Sequence, residues 1–125
     1  MKKTKKVKHI EKRKISETLI DFARPIIDMI EATNTHEYLE QGIQIAVTVW
    51  NCVVLSTVKK DTKYIDMLRA SMAGEEKILG GYSLIEALIS RKKDLFADDL
   101  RAIGDFSIRI SNGTIILKAE ARAVN

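Results

Sequence analysis

The chain is 125 residues long, 46% hydrophobic and 30% charged, the balance of a soluble protein with one domain and a real core. A single cysteine, Cys52, allows no intrachain disulfide, which excludes the small disulfide-stapled scaffolds and points to a reducing compartment. The net charge of +4 divides unevenly: positions 2 to 14 carry eight Lys or Arg against one Glu, which leaves −3 on the remainder.

That basic arm, residues 1–14, holds Lys2, Lys3, Lys5, Lys6, Lys8, Lys12, Arg13 and Lys14, with only Val7 and Ile10 as aliphatics beyond Met1. Such a composition buries too little to offset the entropy of ordering it, and predicts an arm without fixed structure. The arm resembles the charged start of a secretion signal, but no apolar stretch follows directly, so a cytoplasmic protein is expected.

Residues 15–125 read as one domain. Ser16 precedes Leu19, Phe22, Ala23, Ile26 and Ile30 at steps of three and four, which predicts an amphipathic helix with Ser16 as N-cap and Glu17 favouring its positive end. Pro25 removes the amide that would bond to residue 21, so this helix should kink or restart there and end near Ala32 and Thr33. Asn34 with Glu37 forms a capping box for a second helix. From Gln41 to Val58 no charge appears, yet Gln41, Gln44, Thr48 and Asn51 form one narrow polar stripe. The run is at the short limit for a membrane span, and the stripe suits a helix at the centre of a bundle. The alternation of Ile43, Ile45, Val47 and Val49 supports a competing strand; length and the acidic start favour helix. Asp61 is placed to cap a third helix carrying Ile65, Leu68 and Met72 and ending at Gly74. Gly80-Gly81 marks a joint, and Ser83 to Glu86 is a capping box before Leu84, Ile85, Leu88, Ile89, Leu95 and Phe96, with Arg91, Lys92 and Lys93 as cations at the helix's negative end.

After Asp98-Asp99 the period falls to two. Phe106, Ile108 and Ile110, then Asn112-Gly113, then Ile115 and Leu117 predict a hairpin over about 104–123, because a two-residue turn with positive φ at both positions suits Asn-Gly. Its register pairs Ser111 with Thr114, Ile110 with Ile115, Ile108 with Leu117 and Phe106 with Ala119. The apolar face should lie on the helices, while Ile116 falls on the outer face among charges. The fold class is therefore α+β, mainly α: about four helices packed together with a C-terminal antiparallel β-hairpin. A two-stranded sheet leaves two open edges, so a homodimer through the hairpin edge is expected.

Chemistry is harder to find. His36 and Glu40 share a helix face, but two ligands do not make a metal site, and His9 lies in the arm. Cys52 sits in an apolar run with no base beside it, and Ser56, Ser71 and Ser90 lack the Gly-x-Ser-x-Gly context of a nucleophile. Gly80-Gly81 lacks the Lys-Ser/Thr ending of a phosphate loop. Asp98-Asp99, with Glu86 and Asp94 upstream, fall in or near a connecting turn rather than a cleft, which suits capping or solvation. These absences predict no enzyme, no catalytic residue, no metal and no cofactor. Trp50 and Asn51 each need a hydrogen-bond partner if buried, either within the core or lining a small-ligand pocket. The arm could neutralise phosphates of a nucleic acid or, less in keeping with its sequence, a membrane surface. It has no aromatic interleaving for base stacking.

The segments Ile15 to Pro25, Val47 to Val54 and Arg91 to Asp99 resemble those of a family of small uncharacterised bacterial proteins. That resemblance covers most of 15–125, implies a bacterial cytosolic origin, and carries no activity or functional residue with it. The sequence reading therefore leads to a non-enzymatic protein-interaction or accessory module that self-associates. Its alternative is a nucleic-acid-associated protein anchored by the arm, and a third reading is an enzyme or ligand binder with a site near Trp50 and Asn51.

Overall fold

The computed structural model describes residues 14–31, 36–72 and 81–124. Over these, five helices precede a C-terminal antiparallel two-stranded sheet, the expected mainly helical α+β class.

Helix α1 (Ile15–Phe22) starts two residues earlier than expected: Lys14 is the N-cap, in extended conformation, and makes no side-chain cap bond. The reason is burial. Ile15, Leu19 and Phe22 form one stripe, all within 6% exposure, and drawing Ile15 into the core outweighs the cap that Ser16 would supply. Ala23 is a turn, and α2 (Arg24–Glu31) restarts the helix with Pro25 at its second position, as the missing amide requires. The amides of Ile26 and Ile27 both turn to the Ala23 carbonyl, at 2.9 and 3.0 Å. The Phe22 carbonyl thereby loses its usual amide, and the Asp21 carbonyl, which Pro25 cannot reach, keeps only a backbone N–H at the cap. The capping residue Asn34 lies outside the described residues.

Helix α3 (His36–Lys59) is the centre of the molecule and packs against α2, the two later helices and the first strand. Its segment Tyr38–Lys59 is long and apolar enough to cross a membrane. Here its apolar surface faces neighbouring elements: Leu39, Ile43, Ala46, Val49, Trp50 and Val54 are at most 2% exposed. Gln41, Gln44 and Thr48 form the expected solvent stripe, and the strand alternative for 43–49 is overturned. Cys52, expected within the core, is only partly buried. The helix ends on Lys60 in the left-handed region, φ 53°, with the Asp61 amide bonded to the Ser56 carbonyl at 3.1 Å, a Schellman closure with lysine where glycine is usual. Asp61 then accepts the Lys63 amide at 2.9 Å, steering the chain into α4 (Lys63–Met72).

Helix α5 (Gly81–Leu95) begins before Ser83, so the proposed capping box lies inside it. Glu86 instead pairs with both Nε and Nη2 of Arg69 on α4, at 2.6 and 3.0 Å, a charge-assisted fork that joins the two helices. Leu95, read among the apolar positions of this helix, is its last residue and is 64% exposed.

Strands β1 (Ala102–Ser111) and β2 (Thr114–Arg122) have the expected register from Ser111–Thr114 to Phe106–Ala119, around a turn with Asn112 and Gly113 at φ 51° and 78°. Two β1 residues, Gly104 and Asp105, then oppose Glu120 alone, a bulge that the alternating pattern did not reveal. The extra residue moves Ile103 onto the same face as Ile108, where it is 4% exposed. Ile108 and Leu117 are buried on the helices, while Ile110, at the tip, is 42% exposed. β1 lies against α3 and β2 against α1.

Candidate functional site

The densest group of polar side chains in the interior surrounds the passage from α5 to β1. Helix α3 contributes Trp50, fully buried, whose Nε1 donates to the Arg101 carbonyl at 2.7 Å. Its neighbour Asn51 donates from Nδ2 to the Ile103 carbonyl at 2.9 Å and accepts the Ile103 amide on Oδ1 at 2.7 Å. A single carboxamide thus occupies the backbone pair that a neighbouring strand would otherwise take. Trp50 and Asn51 are consecutive on the helix, and their partners lie two residues apart, Arg101 just before β1 and Ile103 within it.

From α5, Lys92 is 1% exposed and donates to the carbonyls of Phe96 at 2.6 Å and Asp99 at 2.8 Å. Its ammonium stands 4.3 Å from the centre of the Trp50 ring, a cation–π contact. Burial lowers its pKa to about 8, against the upward pull of Asp99 and Asp98. Asp99 is itself forked by Arg101, Nε to Oδ1 at 2.9 Å and Nη2 to Oδ2 at 2.5 Å. Burial works against the Asp99 carboxylate, but the hydrogen bonds and charge of Arg101, with the charge of Lys92, outweigh it and hold the group below the usual carboxylate range. Asp98 is exposed, as expected for a residue of this turn.

Arg91, one residue earlier, reaches the other way. Its Nη2 donates to the Asp21 carbonyl at 2.8 Å and its Nε to the Phe22 carbonyl at 3.0 Å, the two acceptors that the Pro25 break released. Phe22, Trp50 and Phe96 close the space between, edge to face with ring centres 5.2 to 5.8 Å apart. Arg91 and Lys92, expected as cations at the helix's negative end, are also internal ties. The signal for Arg91 was in the sequence: a proline that orphans a carbonyl demands a donor elsewhere.

Beside this cluster lies a groove of about 880 Å³ between Thr18, the segment 94–101 and the segment 121–124. Trp50 and Asn51 do not line it; their polar atoms are engaged with backbone on the inner side of the junction. Exposed Leu95 and Leu100 stand at the groove with Asp94 and Asp98. Among the described residues no group of three or more His, Cys, Asp or Glu is placed to hold a metal ion. The Cys52 thiol is pushed up in pKa by burial, away from a reactive thiolate. Of the arm, Lys2 to Arg13 lie outside the described residues, and Lys14 is exposed at the start of α1.

No protein-family model, no curated protein and no solved structure matches the chain.

Proposed function

We propose that this chain is a non-enzymatic cytosolic module that acts through protein contacts and associates with itself. The observation that carries the reading is the two-stranded sheet: among the described residues β1 pairs with β2 alone and no third strand joins them. Asn51 and Trp50 cover the start of β1, while nothing among the described residues pairs with the outer edge of β2. Support for a non-enzymatic role comes from the use of the buried polar groups. Trp50, Asn51, Arg91 and Lys92 all bond backbone, and Asp99 bonds Arg101. Sedimentation or light scattering across micromolar concentrations tests self-association: a dimer mass is expected, and a monomer at every concentration overturns it.

The charge segregation favours a second reading, in which the arm anchors the protein on nucleic acid. Up to eight phosphate contacts would give a salt slope of at most about −7 on duplex DNA, at roughly 0.9 per contact. A chain beginning at Lys14 should lose that binding and keep its helical circular dichroism; undiminished binding excludes the arm.

A further inference from the structure

Edge and charge together go further than self-association and select its register. In the hairpin the turn bonds Ser111 to Thr114, and pairs alternate from there between hydrogen-bonded and open. On β2 the amides and carbonyls of Ile115, Leu117, Ala119 and Ala121 therefore point away from β1, since the bulge interrupts β1 and leaves β2 regular. None of these four has a hydrogen bond to another element among the described residues. The opposite edge is different: Ile103 points the same way on β1 and is held by Asn51. Phe106, Ile108 and Ile110 on β1 also point outward without a partner among the described residues, so β2 has the longer open row, four residues against three.

A second β2 placed antiparallel across a two-fold axis must pair residues whose numbers sum to an even total, so that outward groups meet outward groups, and centring on Lys118 or Glu120 would set that residue's charge against its own copy. Centring on Ala119 pairs 115 with 123, 117 with 121, and all the residues between, and so spans nearly the whole strand. It also sets Lys118 opposite Glu120 of the second copy, twice by symmetry, and Arg122 opposite Ile116, the one apolar residue among the outer charges. Centring on Leu117 puts Lys118 opposite Ile116. Centring on Ala121 pairs Glu120 with Arg122, but Arg122 already stands 3.8 Å from Glu120 in its own chain, and the overlap is shorter.

We infer that two copies join through β2 in an antiparallel register centred on Ala119, making one four-stranded sheet in which Lys118 of each chain meets Glu120 of the other. This inference rests on the self-association proposed above. The test is a charge exchange read by sedimentation. Lys118→Glu alone and Glu120→Lys alone each place like charges opposite one another at two points, and should raise the dimer dissociation constant about tenfold. The double exchange should restore it. Circular dichroism reports whether each variant is folded, and oxidative cross-linking provides a second readout in a Cys52→Ser background. Opposed residues at an open pair lie about 4.5 Å apart at Cα, within disulfide reach, whereas diagonal ones are about 7–8 Å apart. A mixture of Lys118→Cys and Glu120→Cys chains should therefore cross-link, and Lys118→Cys alone should not. A dimer that ignores the charge exchange and cross-links in Lys118→Cys alone overturns the register while leaving self-association standing. A wild-type chain that is monomeric throughout overturns both.

Discussion

Asn51 offers the sharpest test of how the hairpin is held to the helices. Its carboxamide satisfies both the amide and the carbonyl of Ile103, a residue 4% exposed. Replacing Asn51 by Leu keeps the branched shape of the side chain and removes both partners. Each orphaned backbone group costs about 1–3 kcal/mol, so a loss of about 3 kcal/mol is expected, allowing for water reaching one of them. For 125 residues the unfolding entropy is about 0.26 kcal/mol per degree, which converts that loss into a fall in Tm of about 10 °C. Asn51→Asp separates hydrogen bonding from packing. A carboxylate can accept the Ile103 amide but repels its carbonyl, so this variant should be destabilised at neutral pH. Its folded-state pKa would stand above that of an unfolded Asp, and the deficit should shrink as pH falls through the raised value and the protonated acid becomes a donor. Thermal melts or urea titrations of the three proteins from pH 7 down to pH 4 read both effects. An Asn51→Leu protein within 0.5 kcal/mol of wild type, on the order of a neutral surface substitution, would refute the latch; an Asp variant whose deficit does not change with pH would refute the donor role of Nδ2.

Lys92 gives a second pH signature. Its folded pKa of about 8 lies below the unfolded value, so between about pH 8 and 10.5 the unfolded chain binds more protons and stability contributed by this group rises with pH. The difference between wild type and Lys92→Met in urea midpoint should therefore shift in favour of wild type across that window; parallel profiles would contradict it. Arg91→Ala should cost about 2 kcal/mol by uncovering two carbonyls, and adding Pro25→Ala should recover part of this, because an amide at 25 can bond Asp21. Additive effects in that double-mutant cycle would show the two sites to be independent. Lys60→Gly should stabilise by about 1 kcal/mol by relieving a left-handed lysine at the end of α3, visible as a few degrees in Tm; a loss would mean that the Lys60 side chain contributes more than its backbone strain removes.

Local chemistry was legible where it acts over neighbouring residues. The Pro25 break follows from a missing amide, the hairpin turn from two positive φ angles that Asn and Gly tolerate, and the central place of α3 from eighteen residues without a charge beside a single polar stripe. The register from Ser111–Thr114 to Phe106–Ala119 follows from the turn alone, since a two-residue connection leaves no slack. What required the tertiary structure is everything that depends on a partner distant in sequence. Ser16 loses its cap because Ile15 finds a core to enter, and Glu86 leaves the capping box because Arg69 lies beside it. The bulge at Gly104 and Asp105 serves to turn Ile103 inward, and periodicity cannot show it because the interruption follows from where α3 lies. Trp50, Asn51, Arg91 and Lys92 were visible as residues needing partners or as charges at a helix end. Their acceptors are carbonyls brought close by folding, four of them 51 to 70 residues away along the chain. A backbone carbonyl has no letter in a sequence, so the sequence could pose the need for a partner at Trp50 and Asn51 and only the packing of α3 against the start of β1 could answer it.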